Sequence, residues 1–131
     1  MLLSARIAIA SAVGAATLTG PGTAHAASSF TCSSVLGNGG IVATVCTDIL
    51  SGQVRGRLTP LAGGVTVDSL TLYECNAAET SCTTLAETTT LTTPSFAATT
   101  GKHYETCAFF HVRETPTQVV HYTGCSPFAV A

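Results

Sequence analysis

The chain has 131 residues, of which only 9% are charged, and its formal net charge is −2 at pH 7. A weakly acidic chain gains little from counterion release on nucleic acid, and it offers no polybasic segment to an anionic membrane surface. These properties argue against nucleic-acid and membrane partners, and the length is that of one domain.

The first 26 residues have the layout of a secretory signal peptide. Arg6 precedes an uncharged apolar run over residues 7–18, helix breakers follow at 20–22, and Ala24-His25-Ala26 provides a small-residue cleavage site. As a helix the apolar run is about 18 Å long, too short for a hydrocarbon core of about 30 Å. We predict that residues 1–26 are cleaved and that residues 27–131 form a single secreted, extracellular domain.

Six cysteines follow the predicted cleavage site. An even number of cysteines in a short exported chain indicates three disulfides. The spacing does not fit a zinc knuckle or a redox motif, because no two cysteines are separated by only two to four residues. The six residues are Cys32, Cys46, Cys75, Cys82, Cys107 and Cys125.

The remainder of the sequence is rich in Thr and Val, which favour strands, and it is interrupted by Gly, Pro and Asn at short intervals. This pattern predicts an all-β fold, an antiparallel sandwich of about seven short strands stapled by three disulfides. The candidate strands lie near residues 41–47, 53–59, 65–75, 83–88, 96–99, 103–113 and 118–124.

The segment from Thr100 to Cys107 contains a glycine turn followed by Tyr104. It resembles the corner that leads into the sixth strand of immunoglobulin-like sandwiches, where a tyrosine hydroxyl bonds back across the corner. It departs from true immunoglobulin domains in the Tyr–Cys spacing of three and in the absence of tryptophan. Residues 65–131 are similar to small secreted immunoglobulin-like proteins of high-GC Gram-positive bacteria. The resemblance implies the fold and carries no activity with it.

Alternation of side chains along the last two strands predicts one disulfide. Folding them into a hairpin around Pro116 pairs Val112 with Val120 and Phe110 with Tyr122 on the apolar face. The same register places Cys107 opposite Cys125 on the outer face, within disulfide reach. Because a residue before proline avoids the helical region, we expect a five-residue loop over 114–118 rather than a three-residue one.

The other two pairings follow from proximity along the chain. Cys75 and Cys82 flank a short loop and are expected to close it. Cys32 and Cys46 would pair across the turn at 37–40, but a two-residue Asn-Gly turn sets Cys32 against Val45, and a one-residue glycine bulge is needed to bring the cysteines opposite each other. The rival pairing is an inter-sheet bond from Cys46 to Cys107 in the immunoglobulin manner.

No catalytic motif is found in the sequence, and we expect a non-catalytic binding module without cofactor or metal. The best candidate for a binding face is the outer side of the C-terminal hairpin, whose residue types are common at interfaces with proteins or glycans. There His111 and His121 are predicted cross-strand neighbours, but two ligands alone do not define a metal site. The candidate face consists of Phe109, His111, Arg113, Val119, His121 and Thr123.

A second possible function is inhibition of an extracellular hydrolase, a protease or an amylase, through the loop 76–81. A loop fixed at both ends loses little entropy on binding, which suits an inhibitor. This loop has no Lys, Arg or large apolar side chain to fill a specificity pocket. The inhibitor therefore ranks second, and a small secreted enzyme ranks third.

Overall fold

The computed structural model describes residues 28–131, and these residues form an all-β domain of nine strands. The predicted signal peptide and its cleavage site lie outside the described residues. Within 28–131 there is no helix with the length and hydrophobicity needed to span a bilayer. The strands are β1 (Ser29–Gly37), β2 (Gly40–Leu50), β3 (Gln53–Pro60), β4 (Val65–Cys75), β5 (Cys82–Thr88), β6 (Phe96–Ala97), β7 (His103–Thr115), β8 (Gln118–Cys125) and β9 (Ala129–Val130).

The strand count of nine corrects the predicted count of seven. Seven strands overlap the predicted ranges, whereas β1 and β9 were not predicted as strands. β1 is rich in serine, which has little preference for strands, and it is held extended by pairing with β2. β9 has two residues, too few to produce a sequence pattern, and it pairs with the start of β7.

The strands form two antiparallel sheets. One sheet has the order β1-β2-β3-β6. The other has the order β5-β4-β7, with β8 and β9 both pairing along the remaining edge of β7. Short connections join neighbouring strands in the hairpins β1–β2, β2–β3, β4–β5 and β7–β8.

Apolar side chains from both sheets meet in two buried clusters. The alternation is clearest in β7, where Tyr104, Ala108, Phe110 and Val112 are buried and the intervening residues are more exposed. This period of two is what a sheet with one covered face requires. The larger cluster contains Val35, Val42, Ala43, Val45, Leu58, Leu70, Ala108, Phe110 and Val112, and the smaller contains Ile49, Val54, Leu72, Tyr104 and Ala129.

A small group of buried hydroxyls connects the two sheets. Thr47 Oγ1, on β2, lies 2.7 Å from Thr106 Oγ1 on β7 and 2.8 Å from Ser126 Oγ. The Ser126 hydroxyl also accepts the backbone N–H of Thr106 and donates to the carbonyl of Pro127. Each hydroxyl has a partner, so the group avoids the cost of an unsatisfied buried polar atom.

The three disulfides connect neighbouring strands within a sheet; Cys107–Cys125 is the pairing predicted from the strand register, and the other two are those expected from proximity along the chain. Cys32–Cys46, Cys75–Cys82 and Cys107–Cys125 have Cα–Cα distances of 4.1, 4.0 and 4.0 Å, and no cysteine is free. The β1–β2 pairing contains a one-residue bulge, but its extra residue is Val42 of β2 and not a glycine, because Val35 pairs with Ala43 and Leu36 with Ile41. The rival bond between Cys46 and Cys107 is not formed.

The predicted loop of the last hairpin is wrong. The turn consists only of Pro116 and Thr117, and a bulge near Glu114 absorbs the extra residue, so that Thr115 pairs with Gln118. Thr115 is the last residue of β7, and its extended conformation is the one that a residue before proline prefers. Because the bulge lets Thr115 stay extended before Pro116, the longer loop is not needed.

Tyr104 closes the corner before β7. Its hydroxyl accepts the backbone N–H of Thr99 at 2.8 Å and donates to Glu74 Oε2 at 2.7 Å. Burial of the ring is the main cause of a raised Tyr104 pKa, and the hydrogen bond to Glu74 adds to it. The hydroxyl thus joins the segment before β7 to β4 across the corner.

Gly56 provides a test of how closely the two sheets approach. A Cβ at this position would lie 2.7 Å from Thr106 Cγ2 and 2.8 Å from its Oγ1, whereas a Cβ at Gly63 meets nothing within 4 Å. Gly56→Ala should lower the free energy of unfolding by roughly 1–3 kcal/mol through overpacking, measured by urea denaturation. The control Gly63→Ala should change it by less than about 0.5 kcal/mol. Equal effects would contradict the close packing at Thr106.

Removal of single disulfides should follow loop length. Cys107–Cys125 spans 18 residues and Cys75–Cys82 spans 7. In the chain-entropy model the double replacement by alanine should cost about 3 kcal/mol for the first pair and about 2 kcal/mol for the second. Urea denaturation of the two double variants measures both values. A larger loss from the shorter loop would show that native contacts, and not loop entropy, dominate.

Candidate functional site

The C-terminal hairpin places all six residues of the predicted binding face on its outer side. They form three cross-strand pairs in the register Phe109–Thr123, His111–His121 and Arg113–Val119. Phe109 is 57% exposed, which is high for a large apolar side chain on a sheet. The opposite side of the hairpin is apolar, and there Phe110 stacks on Tyr122 with ring centroids 5.4 Å apart.

The same outer face carries the Cys107–Cys125 disulfide. These cysteines are a cross-strand pair two steps along from His111 and His121, with the Phe109–Thr123 pair between them. A covalent bond at this position prevents the two strands from sliding, so the opposition of the histidines does not depend on side-chain packing alone.

Asp68 is the functional residue of this face that sequence reasoning missed. His111 Nδ1 lies 3.0 Å from both carboxylate oxygens of Asp68, and His121 Nδ1 lies 4.0 Å from Asp68 Oδ2. The histidine rings are 5.5 Å apart between centroids and tilted by 52°. Two imidazoles and one carboxylate thus converge from β4, β7 and β8.

A β-bulge in β4 is the reason that Asp68 reaches the histidines. Val67 pairs with Phe110 and Ser69 pairs with Phe109, which leaves Asp68 as the extra residue of β4. A bulge redirects the side chain at the inserted position. The sequence contains a signal for it, because the apolar alternation of Val65 and Val67 resumes one residue late at Leu70 and Leu72. That signal does not show which strand lies beside the bulge, because His111 on β7 is 43 positions further along the chain than Asp68.

A second histidine–carboxylate pair lies at the other end of β7. His103 Nδ1 is 2.7 Å from Glu79 Oε2, and the His103 ring is tilted against Phe128. Nearby, burial is the main cause of a raised pKa at Glu105, with a further contribution from the charge of Glu79. This pair has one imidazole, which distinguishes it from the His111–His121 site.

The loop 76–81 is folded on itself. The side-chain oxygen of Asn76 accepts the backbone N–H groups of Thr80 and Ser81, at 2.9 and 3.2 Å, and its amide donates to the Thr80 hydroxyl. Glu79 adopts a positive φ of 60° within the loop. These bonds hold the loop in one conformation. They also occupy the N–H groups of Thr80 and Ser81, which an extended inhibitor loop would offer to its target.

A shallow depression of about 420 Å³ lies at one end of the molecule, between the β1–β2 turn, the β3–β4 loop and the end of β7. Its lining is mostly glycine and aliphatic, and the charged residues in it are Arg113 and Glu114. An arginine beside one carboxylate supplies no general acid–base pair. The depression therefore does not form the converging polar groups that an enzyme site needs.

The opposite sheet has a buried ion pair on its outer face. Asp48, 2% exposed, accepts two hydrogen bonds from Arg57 at 2.7 and 3.0 Å and one from Arg55 at 3.3 Å. The hydrogen bond to Asp48 is the main cause of the raised Arg57 pKa. The carboxylate of Asp48 is paired with two arginines within β2 and β3, so this group stabilises the sheet and offers little to a ligand.

The chain matches no known protein-family model, and it has no significant match among curated proteins or among solved structures. Function must therefore be argued from the geometry of the site.

Tyr122 and Glu114 give a test of the register near the turn. The Tyr122 hydroxyl donates to Glu114 Oε2 at 2.8 Å, and this hydrogen bond is the main cause of a raised Tyr122 pKa. Its contribution to stability is complete below the ordinary tyrosine pKa of about 10 and is lost as the pH rises through the folded-state value. Glu114→Ala should return the Tyr122 pKa toward its ordinary value in an NMR titration of the ring carbons. Glu87→Ala, on β5, is the control, and an equal midpoint in wild type and Glu114→Ala would contradict the contact.

Proposed function

We propose that the protein is a secreted immunoglobulin-like module that binds an extracellular protein or glycan through the outer face of its C-terminal hairpin. The observation that carries the proposal is the contiguous face of Phe109, His111, Arg113, Val119, His121 and Thr123, presented on two strands that a disulfide joins.

The strand order supports the immunoglobulin-like part of the proposal. The order β5-β4-β7-β8 corresponds to the C′-C-F-G sheet of such domains, and β2-β3-β6 corresponds to A-B-E. The Tyr104 hydroxyl bond across its corner agrees with the same assignment. Besides the Tyr–Cys spacing and the absence of tryptophan, β1 and β9 are additional strands. The sheets are also joined by the Thr47–Thr106 hydroxyl contact, whereas an inter-sheet disulfide joins them in antibody domains.

Two observations support export from the cell. The layout of residues 1–26 is that of a signal peptide, and the three disulfides use every cysteine of the chain. Disulfides of this kind form and persist in oxidising compartments. A small domain outside the cell gains about 2–4 kcal/mol from each such bond.

The chemistry of the face supports binding rather than catalysis. Aromatic residues and arginine are enriched at interfaces, and exposed Phe109 and Arg113 lie on the same side of the hairpin. Strands that are already rigid lose little conformational entropy when a partner binds. The weak negative charge of the chain gives no reason for a nucleic-acid or membrane partner.

Inhibition of an extracellular hydrolase is the second candidate function. The observation that favours it is the rigidity of the loop 76–81, which is closed by Cys75–Cys82 and held by the Asn76 hydrogen bonds. The loop remains without a side chain suited to a specificity pocket. Saturable, stoichiometric loss of protease or amylase activity on addition of the protein would favour this function over the hairpin face.

Two phenylalanines of equal exposure allow a matched test of the binding face. Phe109 is 57% exposed on the hairpin, and Phe30 is 59% exposed on the opposite sheet. Immobilised protein should retain a component of the cell envelope or culture supernatant, identified by mass spectrometry. Phe109→Ser should reduce its retention about tenfold or more, as expected for an aromatic hot spot. The Phe30→Ser variant should bind the same component as strongly as the wild type does.

Thermal melts of both variants establish that each is folded. Undiminished retention by Phe109→Ser would contradict the assignment of the face. Loss by Phe30→Ser with retention by Phe109→Ser would move the binding surface to the other sheet.

A further inference from the structure

We propose that Asp68, His111 and His121 form a binding site for a divalent transition-metal ion of the zinc type. The three side chains come from three adjacent strands of one sheet, and their candidate ligand atoms all lie within 4.8 Å of one another. The site goes beyond the binding function proposed above and needs no macromolecular partner, although it lies on the same face.

The distances are close to those of a bound site. Ligand atoms about 2.0 Å from a tetrahedral zinc ion lie about 3.3 Å from one another. His111 Nδ1 is 3.0 Å from Asp68 Oδ1, so these two atoms are already close to the required separation. His121 Nδ1 is 4.0 Å from Asp68 Oδ2, and the ligand atoms of the two histidines lie within 4.8 Å of each other, so His121 must move closer to both partners. Its side chain is 76% exposed, and rotation of an exposed ring meets little resistance.

The donor set selects the class of ion. Two imidazoles and one carboxylate suit Zn²⁺, Cu²⁺ and Ni²⁺, whereas Ca²⁺ and Mg²⁺ prefer oxygen ligands. Three protein ligands leave at least one coordination position, which water or a donor atom of a bound molecule completes. The second metal-type cluster of the described chain, Glu105 with Cys107 and Cys125, is unsuitable because its sulfurs are joined in a disulfide.

The backbone holds the ligands in place before the ion binds. The Cys107–Cys125 bond sets the register that places His111 opposite His121, and the β4 bulge directs Asp68 toward them. Ligands on strands are positioned more accurately than ligands on loops, and a preformed site loses less entropy on binding. A simple His–Asp hydrogen bond accounts for His111 and Asp68 but does not require the second imidazole, His121, that lies beside them.

Titration of the purified protein with Zn²⁺ tests the site directly. Isothermal calorimetry should show one saturable site per chain, and histidine NMR should show shifts at His111 and His121 and none at His103. Asp68→Asn and His121→Gln should each weaken zinc binding tenfold or more. The matched control is His103→Gln, because His103 has an equally close carboxylate, Glu79 at 2.7 Å, but no second imidazole in the described site. It should bind zinc as the wild type does.

Ca²⁺ and Mg²⁺ should produce no saturable heat under the same conditions. Asp68 and His121 are exposed and His103 is partly buried, so thermal melts without metal check that each of the three variants folds. Absence of saturable zinc binding up to millimolar concentration, or unchanged affinity in His121→Gln, would overturn the site. Because these measurements use the isolated protein, their failure leaves the Phe109-dependent binding of an extracellular partner untouched, and the converse also holds.

Discussion

The register of the β7–β8 hairpin is set by two independent constraints that agree. On the inner side, Phe110 stacks on Tyr122 and Val112 lies opposite Val120, so a shift by one residue would expose the apolar side chains. On the outer side, Cys107 is bonded to Cys125. The candidate site depends on this register, because it makes His111 and His121 neighbours and places Thr123 and Val119 opposite Phe109 and Arg113.

The two sheets are held together without a covalent bond between them. All three disulfides lie within sheets, whereas contacts across the sandwich are made by the apolar clusters and by the hydroxyls of Thr47, Thr106 and Ser126. The hydroxyl group occupies a tightly packed region, since Gly56 has no room for a side chain beside Thr106. A buried polar contact with satisfied partners requires a defined orientation, which nonspecific apolar packing does not. The hydroxyls thus specify how the sheets align.

The irregularities of the sheets serve different purposes. The bulge at Val42 of β2 brings Cys32 opposite Cys46, and the bulge near Glu114 allows a two-residue turn with Pro116. The bulge at Asp68 keeps Val67 and Leu70 on the core side of β4, and it leaves the Asp68 carboxylate on an exposed face beside two histidines.

The sequence alone predicted the all-β class, the presence of three disulfides and the register of the last hairpin, because the cysteine number and the alternation along residues 103–125 are mutually consistent. It left a bond from Cys46 to Cys107 as the rival to Cys32–Cys46, which only the structure rules out. It did not indicate β1 or β9, whose extended conformations come from pairing with β2 and β7. It also missed the role of Asp68 and the burial of Asp48 between Arg55 and Arg57. Which strand lies beside β7 is decided by the packing of the whole domain. The contacts of Asp68 with His111 and His121, which are 43 and 53 positions further along the chain, are therefore visible only in the tertiary structure.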